Sequence, residues 1–331
     1  MGLNHLNGKK VLFISPEFFG IDKKLINVLT ESGCSVKWIN ERAINNSLLM
    51  AISYICPYLL EIYANKFFKN SVEHLEYDVD YILVVKGDMI SKKTIIYLRN
   101  KYPNAKIILY LWDSVKNIKG ILKKVDLYDK VYSFEPDDCK KYNFIFRPLF
   151  CDIEIKNGYN YNDLDYDICF YGTMYGDRFR IVSLINDYCN SNEYVFYKFC
   201  YLRAKFMCLF YWITNKYSRN YKSSDFSFVA KSSKSISEIV NNSKAILDIN
   251  DINQKGLTIR TLETLLSGRK IITTNTDISN YDLYDSNNVF IIDRDNVTID
   301  KDFFKTECVK LSDAILKKYT AEKWVEDVFV G

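Results

Sequence analysis

Two histidines, His5 and His74, are all that the 331-residue sequence contains, and its nine cysteines include no C-x-x-C pair. Neither set has metal-ligand spacing, so no metal site is expected, and the cysteines read as reduced thiols of a cytoplasmic protein. Nucleotide-binding loops of the familiar kinds are missing too. A dinucleotide fold would need G-x-G-x-x-G after its first strand, yet Ser15-Pro16-Glu17-Phe18-Phe19-Gly20 holds a single glycine. The sequence also lacks G-x-x-x-x-G-K-[ST] and G-x-S-x-G, which removes P-loop NTPases and nucleophile-elbow hydrolases.

Charge of one sign is equally scarce. Lys+Arg 45 against Asp+Glu 41 leaves +4, too little and too evenly spread for a nucleic-acid binder. Long apolar runs are absent: Leu48–Leu60 and Phe206–Thr214 both fall short of the ~20 residues of a spanning helix, and Lys198, Arg203 and Lys205 crowd the second. At the N-terminus Lys9 and Lys10 precede only four apolar residues, too few for a secretory signal. Leu6 stands where a myristoylation signal needs Ser or Thr. A cytoplasmic chain without transmembrane helices is expected.

What is present is an ordinary globular composition, 48% hydrophobic and 26% charged. Because a single core rarely grows past ~250–300 residues, two domains are expected, with a cleft between them as the place for a site. The aromatic content of 15% goes with abundant Lys, Asn and Ile and reads mainly as AT-rich coding bias.

Lys10–Ser15, a helical pattern to Gly33, and Ser35–Ile39 form a first βαβ unit. Tyr81–Val85, helix Lys92–Lys101, Lys106–Leu111 and Val131–Phe134 continue an open parallel sheet. After the polar stretch NGYNYNDLDYD the theme restarts with strands at Asp167–Tyr171, Lys244–Ile249, Lys270–Thr273 and Val289–Ile292. Helices are expected at Asp177–Cys189, Ser235–Asn241 and Thr258–Leu266. The expected fold class is therefore α/β, with two Rossmann-like domains facing across a cleft. Their expected bounds are 1–150, a linker at 151–166, and 167–312, followed by a terminal helix within 313–331.

The most informative stretch runs from Gln254 to Asn275, QKGLTIRTLETLLSGRKIITTN. Gly256 opens a tight turn after a strand, and a helix follows to a cap at Gly268. Free amides at such a helix start suit a pyrophosphate, and Glu263, two turns on, can accept both hydroxyls of a ribose. The phrase from Lys244 to Asn275 resembles the donor-binding half of GT-B glycosyltransferases, in particular the CgeB-like bacterial group with its G-[LY]-[ST]-x-R-x-x-E-x-L-x-x-G-[RK]-x-[IL]-[IV]-[TS] signature.

That resemblance, specific over roughly residues 167–295, implies transfer of a sugar from a nucleotide-activated donor, without a metal or other cofactor. It implies a donor held by the C-terminal domain and a glycan or lipid-linked acceptor held by the N-terminal one, in bacterial surface-polysaccharide synthesis. Glu263 corresponds to the family's ribose-binding carboxylate, and Gly256, Leu257 and Thr258 to the turn whose amides face the diphosphate. Arg260 adds a charged contact. Gly172, Thr173 and Arg178 match the loop on the phosphate side. For both arginines the alternative is a solvated helix face. Retaining members with an E-x7-E motif carry an acid eight residues before Glu263, where this chain has Lys255. A phosphate contact by Lys255 is the simpler reading, and the stereochemical outcome stays open.

For the base, both histidines sit badly, and an inverting transfer needs a carboxylate near the acceptor hydroxyl. Glu17, Asp113 and Asp88 each follow an expected strand and are the candidates, in that order; the alternative is a loop or helix-cap carboxylate. The aromatic and basic segment Tyr194–Tyr221 reads as a helix, lying either at a membrane interface or buried with its cations reaching out. The terminal helix around Trp324 and Val325 is expected to cross back onto the N-terminal domain. Rival functions on the same architecture are a nucleotide-sugar epimerase, a polyol-phosphate transferase, or a catalytically silent sugar-nucleotide-binding subunit.

Overall fold

A computed structural model of the chain describes residues 3–18, 20–42, 57–73, 75, 78–151 and 161–330. His74, residues 48–56 of the first apolar segment and residues 152–160 of the expected linker lie outside them. The chain divides into two compact units, Met1–Phe150 with Lys318–Gly331, and Cys151–Lys317.

The first unit is built on six parallel strands, β1 (Lys10–Ser15), β2 (Ser35–Asn40), β3 (Tyr81–Val85), β4 (Lys106–Leu111), β5 (Lys130–Ser133) and β6 (Ile145–Phe146), in the order 2-1-3-4-5-6. Central strands of such a sheet are covered on both faces, which is why KVLFIS, YILVV and KIILYL are near-continuous apolar runs. The edge strand β2 instead alternates in burial. Helices α1 (Ile21–Glu31), α2 (Pro57–Glu73), α3 (Lys92–Lys101) and α4 (Pro136–Tyr142) connect them. Ser91 caps α3 by accepting from the Thr94 amide.

The second unit has strands β7 (Tyr166–Thr173), β8 (Phe196–Tyr201), β9 (Phe226–Ser227), β10 (Ser243–Asp248), β11 (Lys270–Thr273) and β12 (Val289–Ile291), again all parallel. Their order is β12-β11-β10-β7-β8-β9. Its helices are α5 (Arg178–Ser191), α6 (Phe206–Thr214), α7 (Ser233–Asn241), α8 (Ile259–Leu266) and α9 (Asp313–Lys318). The segment expected as one helix from Tyr194 to Tyr221 is different: Phe196–Tyr201 pairs in parallel with Ile168–Thr173 as β8, and only Phe206–Thr214 is α-helical. Aromatic residues suit a pleated strand, and sheet pairing overrides the weak helical pattern there. Outward-facing residues of α6 are exposed, so burial of that helix is excluded.

The closing helix α10 (Ala321–Val330) belongs to the first unit. Trp324 is buried against Tyr110 of β4, with ring centroids 4.7 Å apart, and against Phe150 at 5.4 Å. Arg147 pairs with Asp327 at 3.0 Å and donates to the Lys318 carbonyl at 2.8 Å. No helix among the described residues is long and apolar enough to cross a membrane.

Candidate functional site

In the second unit, β7 has β8 on one side and β10 on the other. The connections from β7 and β10 therefore leave in opposite directions, and a crevice opens at the carboxyl ends of these two strands, where open α/β sheets take their ligands. The chain brings Gly172 and Thr173 at the end of β7 to this point, with Asp248 at the end of β10, Arg178 at the start of α5 and Arg260 in the first turn of α8.

Gly172 has two guanidinium groups beside it. A Cβ there would meet Arg260 Nη2 at 2.9 Å and Arg178 Nη1 at 3.7 Å. Neither arginine lies on a solvated helix face. Arg178 is buried, donates from Nε and Nη2 to the Ile249 carbonyl at 3.1 and 2.7 Å and from Nη1 to that of Thr173 at 2.9 Å, and so clamps the two strand ends. Burial, and then the neighbouring Arg260, pull its pKa down. Arg260 lies over the Tyr171 ring at 4.7 Å and donates from Nη1 to Asp248 at 3.1 Å. Burial opposes its charge, but the Asp248 carboxylate more than compensates and its pKa is raised. Its Nη2 has no carboxylate or carbonyl acceptor among the described residues.

Asp248 was not singled out by sequence, yet it organises this end of the sheet. Fully buried, it accepts from the hydroxyls of Thr258 at 3.0 Å and Thr261 at 2.7 Å as well as from Arg260. The Thr258 hydroxyl also accepts from the Thr261 amide as the cap of α8, so it is committed within the chain. What remains free at this helix start is backbone: the amides of Leu257, Thr258, Ile259 and Arg260 have no acceptor among the described residues. They and the macrodipole behind them can receive an anion.

Glu263, one turn further along α8, is half-buried, and its carboxylate has no hydrogen-bond or ion-pair partner among the described residues. Burial pushes its pKa up, against the pull of Arg260. Among the remaining expected contacts, Gly256 and Leu257 are buried at the turn. Lys255 has an exposed side chain, and its carbonyl accepts from Asn275 Nδ2 at 3.0 Å.

Arg294, beyond β12, is a second member that sequence reading missed. It ties three loops together, reaching Asp177 at 2.7 Å, the Asn250 carbonyl at 2.7 Å and Thr274 Oγ1 at 3.1 Å. Three guanidinium groups, Arg178, Arg260 and Arg294, thus lie among the carboxylates Asp248, Asp177 and Glu263 beside the starts of two helices. Guanidinium N–H groups and helix-start amides suit a phosphate or diphosphate.

In the first unit the carboxylates after β3 and β4 come together and the one after β1 does not join them. Lys86 Nζ lies 3.7 Å from Asp88 and 3.3 Å from Asp113. Lys86 and Gly87 both have positive φ, 75° and 72°, a tight turn that bends the ammonium back between the two acids. Glu17 is exposed and its carboxylate has no hydrogen-bond or ion-pair partner among the described residues, although the next residue, Phe18, packs on Trp112 with centroids 5.2 Å apart.

Sequence reading also passed over Glu41, just after β2. It is buried, accepts from the Met89 amide at 2.8 Å, and burial pushes its pKa up to about 7. Beside it, buried Lys124 donates to the Ile90 carbonyl at 2.5 Å, and burial lowers its pKa. A cavity of about 340 Å³ in this unit lies at the opposite edge of the sheet, around Asn104, Lys106 and Lys130, and holds none of these groups.

No protein-family model matches the sequence, and no curated protein does. Solved structures do. The chain is similar to the lipopolysaccharide outer core galactosyltransferase WaaB in its apo form, with TM-score 0.56, 14% identity, and 97% of this chain and 99% of that one covered. It is similar to a glycosyltransferase from Rickettsia africae ESF-5, with TM-score 0.55, 14% identity and 88% and 85% covered. A third is the catalytic domain of starch synthase IV from Arabidopsis thaliana bound to ADP and acarbose, with TM-score 0.53, 10% identity and 97% and 95% covered. At these identities the likeness defines the fold: α/β with two parallel six-stranded sheets, the architecture of GT-B glycosyltransferases.

Proposed function

We propose that the protein is a glycosyltransferase that moves a sugar from a nucleotide-activated donor to a glycan or lipid-linked acceptor in bacterial surface-polysaccharide synthesis. The observation that carries this reading is the convergence of Arg178 and Arg260 on Gly172, within one helical turn of a carboxylate, Glu263, that has no partner among the described residues. The donor diphosphate takes the Arg260 guanidinium and the free amides at the start of α8; Glu263 accepts the ribose hydroxyls. Arg178 positions the strand ends, and Gly172 and Thr173 leave the space. Gly256, Leu257 and Thr258 shape the turn, and Lys255 adds a cation at its rim. Because the arginines supply the charge that offsets the leaving diphosphate, the reaction needs no metal or other cofactor. The signature from Gly256 to Thr273 favours the CgeB-like group within this fold.

The chemical step in this reading is displacement at the anomeric carbon: the acceptor hydroxyl forms the new C–O bond as the bond to the diphosphate breaks. The acceptor proton goes to a carboxylate of the first unit. Asp113 and Asp88, joined through Lys86, are the favoured pair, with Glu17 as the alternative.

The test is release of free nucleoside diphosphate from a panel of nucleotide sugars, with and without glycolipid acceptors. Acceptor-dependent release that is lost in Asp113→Asn or Asp88→Asn, with donor binding intact, is the expected result. Donor binding without turnover, and no effect of replacing Glu17, Asp88 or Asp113 on glycan synthesis, would instead identify a silent binding subunit.

A further inference from the structure

Helix α6 presents two unlike faces. Met207, Cys208 and Tyr211 turn inward onto the core of the second unit, and Tyr211 meets Phe179 with ring centroids 5.2 Å apart. On the other side Phe206, Leu209, Phe210 and Ile213, spaced i, i+3, i+4 and i+7, are 74%, 64%, 55% and 61% exposed, with Trp212 beside them at 53%. That spacing places the four on one face of a helix. A contiguous apolar face of this kind is rarely left in water without a partner.

Charge identifies the partner. Between Glu193 and Asp225 the sequence has six cations and no acid. Five of them, Arg203, Lys205, Lys216, Arg219 and Lys222, are exposed around α6. Arg219 stacks on Trp212 at 5.8 Å, which fixes one cation beside the apolar face. A second copy of the chain would set these like charges against each other, whereas an anionic headgroup layer offsets them all. Nine residues make a helix only ~14 Å long, suited to lying in the plane of an interface and not to crossing it.

We propose that the outer face of α6, with its rim of cations, docks the protein on an anionic lipid bilayer. The helix is wired to the donor-side loop: Asn215, which follows α6, donates from Nδ2 to the Gly176 carbonyl at 2.6 Å, two residues from Arg178. Docking therefore holds the loop Gly172–Arg178 close to the membrane surface. That consequence, presentation of the donor site to a lipid-borne acceptor, rests on the glycosyl-transfer reading; the docking itself does not.

The experiment is co-sedimentation of the full chain with vesicles of phosphatidylcholine containing about one third phosphatidylglycerol, and with vesicles of phosphatidylcholine alone. Binding to the anionic vesicles, weakened by salt, is expected, and Leu209→Glu/Ile213→Glu should lower the partition coefficient by about tenfold or more. If that variant melts early, Lys205→Glu/Lys216→Glu replaces it, with the same direction of change. Three results would overturn the proposal: no binding to anionic vesicles, equal binding to both vesicle types, or a wild-type dimer that the variant converts to monomer. Nucleotide response of the same samples by thermal shift separates the two ideas, since vesicle binding without it would leave docking standing and the transfer reading refuted.

Discussion

Arg260 Nη2 lies 2.9 Å from the point where a side chain on Gly172 would begin. The atom in the way is the tip of a flexible side chain, so an added methyl displaces the guanidinium at little cost to the fold. Gly172→Ala should change unfolding free energy by less than about 1 kcal/mol while weakening nucleoside diphosphate binding by roughly tenfold, about 1.4 kcal/mol. Denaturant unfolding and calorimetric titration measure the two separately. A large loss of stability with binding unchanged would mean that this glycine serves packing alone.

Asp248 should behave in the opposite way. Its buried carboxylate takes three side-chain donors, and Asp248→Asn leaves the Arg260 charge without its partner. Breaking such a buried pair costs about 3 kcal/mol or more, so the urea midpoint should fall even with no ligand present. Glu263→Gln should not lower it, because burial already penalises that carboxylate's charge. A carboxylate that costs the fold and has no partner among the described residues is what a binding group looks like before its ligand arrives.

Glu41 gives a pH signature in the first unit. Its pKa is pushed up to about 7 from an ordinary 4.5. Between these values the unfolded chain has lost the proton and the folded one keeps it, so this group's contribution to stability falls as pH rises through the window and is flat above it. Glu41→Gln keeps an acceptor for the Met89 amide and carries no charge. It should match wild type near pH 4.5 and exceed it at pH 8 by about 2–3 kcal/mol, read from unfolding curves at the two pH values. Equal curves at pH 8 would contradict the burial of a titrating carboxyl there.

Much of the fold was legible in the sequence because fully covered parallel strands must be apolar throughout. Lys10–Ser15, Tyr81–Val85, Lys106–Leu111 and Lys270–Thr273 lie where their runs predict. Strand β8 was not legible: FYKFCY mixes aromatics with a lysine, and only its pairing with β7 shows a strand. The candidate site divides in the same way. Glu263, Arg260 and Thr258 stand out through local spacing on one helix start. Asp248 and Arg294 do not, since the first matters through threonines ten and thirteen residues away and the second through Asp177, 117 residues away. The adjacency of β7 and β10, which makes the crevice, is a fact of sheet order that no local pattern carries.

The central claim is that the carboxyl edge of the second unit's sheet binds a nucleoside diphosphate through α8. The most direct test is thermal shift with UDP, GDP, ADP and CMP, in the presence of EDTA, for wild type beside Glu263→Ala. Binding raises the melting temperature by an amount set by ligand concentration over affinity. The account predicts a selective shift for one base that Glu263→Ala abolishes; no shift with any nucleotide, or one indifferent to Glu263, would contradict it.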